Sequence, residues 1–167
     1  LAVVASGCGS DDASSDVDTA ASTTMAPETM TGTQICERLT VATVAADLGL
    51  DVTVARPDDS AMSRCEYEYV VSEGVTSTLT VAAVPPEDAG GADAFDAVVD
   101  VSRAIAGDGV EEQTINAGED AVRLSGSAFH VGVLDVGGRI YTLVVPVEDA
   151  EPDGIDRLVA SMATTLG

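Results

Sequence analysis

The chain has 167 residues, with 29 acidic against 7 basic side chains, a formal net charge of −22, and 46% hydrophobic but only 3% aromatic residues. Phosphate binding depends on Lys and Arg, so this balance excludes a nucleic-acid partner and gives no attraction to anionic headgroups. No apolar run approaches the roughly 20 residues of a transmembrane helix, and the length suits one domain of ordinary size.

At the start of the chain, Leu1-Ala2-Val3-Val4 reads as the tail of an apolar run. Ala5-Ser6-Gly7 is a small-residue stretch of the kind signal peptidases cut behind, and Cys8 follows it directly. The stretch resembles the lipobox of bacterial lipoproteins, in which the cysteine receives a diacylglyceryl group and becomes the new N-terminus. Residues 1–7 are then a signal-peptide remnant, and lipidated Cys8 holds the protein to the outer face of the cell membrane. Two acyl chains on one residue anchor stably where one is marginal. The bland alternative for Cys8 is an incidental thiol, but the small, acidic stretch Gly9-Ser10-Asp11-Asp12 behind it offers no core to enter.

Residues 8–34 read as a lipidated, disordered tether: small, acidic, Thr-rich, and without a periodic apolar face able to offset the entropy of folding. The single domain is expected over 35–167. Thr40 is a helix N-cap for residues 41–48, where Val41, Val44, Ala45 and Leu48 form an apolar stripe and Gly49 sits at the stop. Leu50 to Arg56 is a short extended segment, and Pro57-Asp58-Asp59-Ser60 reads as a turn. Residues 65–71 alternate, with Cys65, Tyr67 and Tyr69 on one face and Glu66 and Glu68 on the other, as in a half-buried strand. Ser72-Glu73-Gly74 turns into a partner strand over residues 75–84.

A helix follows over residues 92–106, with Phe95, Val98, Val99, Ser102 and Ile105 sharing a face. Strands are expected over 110–115, 120–125, 128–134 and 139–145, separated by turn residues. Pro152 then opens a last helix in which Ile155, Leu158, Val159, Met162 and Leu166 recur at helical spacing. The order predicts an α+β domain: an antiparallel sheet of about five to six strands with helices packed on one face.

With Cys8 set aside, Cys36 and Cys65 remain as a pair in a compartment where disulfides persist. Their spacing matches no zinc motif, and a bridge would close a loop of about 30 residues, worth roughly 3–4 kcal/mol. The alternative is two separately buried thiols. Tyr67 and Tyr69 read as core, or as the lining of a groove between sheet and helices for an apolar or peptide ligand. His130 would serve a hydrolase only beside Ser125 or Ser127 with an orienting carboxylate. The favoured reading is a partly exposed strand histidine. The many adjacent carboxylates, such as Glu111-Glu112 and Glu119-Asp120, read as solvated surface charge, and no cofactor or metal is expected.

The absence of lysine, together with abundant Ala, Val, Gly, Thr and Asp, fits the codon bias of an actinobacterium, halophily being the competing source of the acidity. Cys36-Glu37-Arg38-Leu39-Thr40, Val44-Ala45, Leu48-Gly49 and Arg64-Cys65-Glu66-Tyr67 carry a resemblance to a family of actinobacterial lipoproteins built on a domain of unknown function. Asn116-Ala117-Gly118-Glu119-Asp120-Ala121 resembles that family's Gly-x-Gly-Asp-x-Ala loop. Arg38 stands where the family has Leu, and Tyr67 where it usually has Trp. The resemblance spans about residues 35–166 and implies an exported single domain with a Cys36–Cys65 bridge and no assigned catalytic residues. Taken together, these readings point to a membrane-anchored, non-catalytic binding module for an envelope protein or small apolar ligand. The alternatives are an accessory subunit of an exported complex and, least supported, an envelope hydrolase.

Overall fold

The computed structural model describes residues 30–60, 62–85 and 93–167. Cys8, the expected signal-peptide remnant and most of the expected tether lie outside them. Residues 30–34, expected as the end of the tether, belong to the fold. Helix α1 (Gly32–Arg38) is opened by Thr31, whose hydroxyl accepts from the Gln34 N–H at 3.2 Å while the Gln34 side chain accepts from the Thr31 N–H at 2.9 Å. This reciprocal capping box satisfies two donors that a helix start otherwise leaves unpaired. Met30 is buried with its sulfur 4.0 Å from the Tyr141 hydroxyl. A Cβ at Gly32 would lie 2.3 Å from the Arg64 carbonyl oxygen, so the chain enters in close backbone contact with the sheet.

Helix α2 (Val41–Leu48) starts and stops where expected. Thr40 caps it, and Gly49 ends it at φ 71°, a left-handed conformation that glycine adopts without penalty. Three strands follow as a meander: β1 (Asp51–Asp58), β2 (Arg64–Ser72) and β3 (Val75–Ala83). β1 runs through Pro57, which was expected in a turn. It is an edge strand, where the N–H that proline lacks is not needed by a second neighbour. After α3 (Ala94–Ala106) a second meander forms from β4 (Glu111–Thr114), β5 (Asp120–Ser125), β6 (Phe129–Val136) and β7 (Arg139–Pro146), and α4 (Pro152–Leu166) closes the chain.

The two meanders join along β3 and β7 into one seven-stranded antiparallel sheet of order β1-β2-β3-β7-β6-β5-β4. The domain is α+β as expected, with more strands than the expected five to six. The helices, however, do not share one face. Strand alternation sends Cys65, Tyr67, Tyr69, Leu79, Val81, Tyr141, Leu143 and Val145 to a core closed by α1, α2 and α4. The opposite parity sends Val122, Leu124, Val131, Val133 and Ile140 to a smaller core under α3. The correction has a plain cause: β5, β6 and β7 are apolar on both faces, so each face requires a cover.

The Cys36–Cys65 disulfide ties α1 to β2 across the larger core, with a Cα–Cα distance of 5.3 Å. In α4, all five residues predicted on the apolar stripe have no exposed surface. A Cβ at Gly132 would meet the Val159 side chain at 2.7 Å, so glycine lets α4 press directly onto β6. Among the described residues, no helix is long and apolar enough to cross a membrane.

Candidate functional site

Among the described residues, two places hold arrangements that the fold alone does not require. The first is a groove of about 400 Å³ along one flank of α3. Ala97, Val98, Val101 and Ile105 form its helical wall, Ala82 and Thr142 form its floor on β3 and β7, and Met62 and Pro85 flank it. Polar groups are scarce: Thr142 and the buried Ser102 are the only hydroxyl side chains in the lining. Val101 is 65% exposed, Met62 48% and Ile105 43%. Thus three of the five exposed large hydrophobics among the described residues line this groove. The other two, Val71 and Val75, lie at the β2–β3 hairpin. Concave, mostly apolar surfaces of this size are the usual form of a binding site.

The stripe predicted on α3 explains how the groove arises. Val99 and Ser102 are buried and Phe95 and Val98 half-buried, but Ile105, expected on the same face, is not covered. The helix packs over β5 and β6, and among the described residues its flank towards β3 overhangs the sheet without a neighbouring helix. The other flank differs in character, since Asp96, Asp100, Arg103 and Glu112 line a charged depression there. In it, Arg103 pairs with Asp100 and, at 2.5 Å, with Glu112.

The second place is a polar cluster under the start of α4. His130 is 4% exposed, with Nδ1 2.9 Å from the Ser125 hydroxyl. The backbone carbonyl of Ala150 is its other hydrogen-bond partner. A carbonyl only accepts, so the ring N–H points to Ala150 and Nδ1 accepts the Ser125 proton. Arg123 donates from Nε to the same hydroxyl at 3.2 Å and to the Pro152 carbonyl at 3.1 Å, and pairs with Asp156 at 2.6 Å. Burial holds the His130 imidazole below its ordinary value of 6.5, and the Arg123 guanidinium pushes the same way against the Ala150 carbonyl, Glu151 and Asp156. His130 is therefore neutral near pH 7 and buried rather than partly exposed as expected, because the segment leading into α4 lies over it.

The serine that a hydrolase would need near His130 is there, but the carboxylate is not on the ring. Asp156 is taken by Arg123, and the position that would orient a catalytic histidine is filled by a backbone carbonyl. Neither depression beside α3 includes these residues. As arranged, the network fastens the start of α4 to β5 and β6.

Tyr67 and Tyr69 do not line a groove. Both are fully buried in the larger core. The Tyr67 hydroxyl donates to the Leu39 carbonyl at 2.6 Å, and the Tyr69 hydroxyl donates to Asp149 at 2.5 Å and accepts from the Ser77 hydroxyl at 3.1 Å. Burial raises the phenol pKa of both, with the Asp149 carboxylate adding to the effect at Tyr69. Of the two readings of these tyrosines, core holds and groove lining does not, because helices close the β2 face that sequence alternation left open to a ligand. Among the described residues, no cluster of three His, Cys, Asp or Glu side chains is placed to hold a metal ion.

No family model, curated protein or solved structure matches this chain. Its own geometry therefore carries the functional reading.

Proposed function

We propose that the protein is a lipid-anchored lipoprotein of the cell envelope whose extracytoplasmic α+β domain is a non-catalytic binding module, with the groove beside α3 as its binding surface. The observation that carries the binding role is the convergence of Met62, Val101 and Ile105, all exposed, on one apolar concavity. Leaving apolar side chains in water costs roughly 25 cal/mol per Å², so a ligand that covers them recovers that energy. The anchor rests on the lipobox-like stretch that ends at Cys8 and on a disulfide of the kind that persists in oxidising compartments.

The binding reading is tested by titrating the full chain with a neutral, polarity-sensitive dye such as Nile red. Saturable fluorescence gain is expected, and Val101→Asp and Ile105→Asp should each remove it while the melting temperature changes little. Unchanged dye binding in both variants defeats the groove as the site. The anchor is tested separately: Cys8→Ala should move the protein from the detergent phase to the aqueous phase, and unchanged partitioning would sink the anchor.

A further inference from the structure

The helical layer on the α3 face of the sheet stops halfway. α3 packs on β5 and β6, whereas among the described residues no helix lies on the same face of β1, β2 and β3. The groove is the step between the covered and the bare half. Adjacent strands lie about 4.8 Å apart, so two strand spacings are roughly 9.6 Å. Packed helices lie about 8–10 Å axis to axis. A helix set beside α3 at packing distance would therefore run over the next pair of strands, β7 and β3. The groove floor is made of one small side chain from each of these, Thr142 and Ala82, which permits close approach. Val98, Val101 and Ile105 stand at helical spacing along the wall.

Charge decides what kind of helix fits. The groove lining carries no charged residue. Beyond it, the same face of β1 and β2 carries Asp58, Glu66 and Glu68 against Arg56 and Arg64, in partly exposed ion pairs, with Arg64 opposite the floor residue Ala82. Such pairs contribute little and are readily rearranged. With a net charge of −22, a second copy of the chain is repelled, and so is an anionic bilayer. A helix bearing Lys or Arg along the flank facing β1 and β2 is attracted.

Building on the binding role proposed above, we propose that the groove seats an amphipathic helix of a basic partner protein, with its apolar face against Val101 and Ile105 and its cationic flank over Glu66 and Glu68. The partner helix completes the second layer over the sheet, which is the helix-in-groove mode of recognition.

The test uses the full chain and two labelled amphipathic peptides with the same Leu/Ala apolar face, one with a Lys polar face and one with a Glu polar face. Binding is read by fluorescence anisotropy at physiological salt, with the melting temperature of each variant measured alongside. The Lys peptide should bind saturably and the Glu peptide should not. Val101→Asp should weaken the Lys peptide by about tenfold or more through lost apolar contact, although it adds negative charge and would strengthen mere surface attraction. Ile105→Ser repeats that test without a charge change, and Glu66→Gln with Glu68→Gln should weaken binding several-fold. The proposal is overturned if the Lys peptide does not bind, if it binds Val101→Asp and Ile105→Ser as well as the unaltered chain, or if the Glu peptide binds equally. Nile red separates the two levels. Dye binding without peptide binding leaves the groove as a site for another apolar ligand, and loss of both defeats the groove reading as well.

Discussion

The two faces of the sheet are closed in different ways. On one, three helices cover strands from both meanders, a disulfide locks α1 to β2, and all three tyrosines are fully buried. On the other, among the described residues, a single helix covers the β5–β6 half, both phenylalanines are only half-buried, and the flank of that helix is open. The first face concentrates what holds the domain together. The second exposes apolar surface that stability alone would favour burying. Residues at the open face can therefore be altered with small stability effects and large binding effects, and the reverse holds at the closed face.

The sharpest way to break this contrast is the disulfide. Replacing both cysteines (Cys36→Ser with Cys65→Ser) should lower stability by about 3–4 kcal/mol, the loop-closure value for a bridge of this span, as read by urea unfolding. An unchanged midpoint would mean that the closed face does not depend on its covalent tie. Next in size, Tyr67→Phe removes the donor to the buried Leu39 carbonyl and should cost about 1–3 kcal/mol. Val71→Ala, at the exposed hairpin, should cost far less in the same assay.

A smaller, pH-dependent effect concerns the fastening of α4. His130 is held neutral in the fold, below its ordinary value of 6.5, so the unfolded chain binds its proton more readily. The stability from this group is fully present above about pH 6.5 and is lost as pH falls through the window between that value and the lower folded one. The unaltered chain should lose stability between about pH 7 and pH 5 relative to His130→Gln, which should follow a flatter curve. Parallel curves would show that the ring is not buried neutral. The smallest stability effect belongs to the open face: Ile105→Ser should stay within about 0.5 kcal/mol while dye and peptide binding fall.

Much of the fold was legible in local chemistry. Thr40 and Gly49 bracket α2, residues 120–125 form β5 at the predicted bounds, and Pro152 starts a helix whose apolar stripe is wholly buried. The start of the fold was also legible, since Thr31 and Gln34 stand at capping-box spacing, though the surrounding Thr-rich composition masked it. What periodicity does not carry is which face of the sheet a helix takes and how far the sheet extends beneath it. The stripe on α3 from Phe95 to Ile105 is wider than the surface that covers it, and that excess is the groove. Met62 enters the groove from a connecting segment with no periodicity at all. The contact between Ser125 and His130 follows from the β5–β6 register, in which the two residues are paired. That register was beyond an unpaired reading of the strands.

The way the chain enters the fold has a mechanical consequence. Tension drawn from the N-terminal side of Met30 enters the fold at its most firmly held point. It meets a buried methionine and a capped first turn, and then passes through Cys36 to Cys65 in an inner strand hydrogen-bonded on both sides. Peeling α1 away leaves the load on a covalent bond, and pulling on that bond shears β2 against both β1 and β3 rather than unzipping an edge. A domain held at this end takes its load first where the backbone is covalently tied to the middle of a meander.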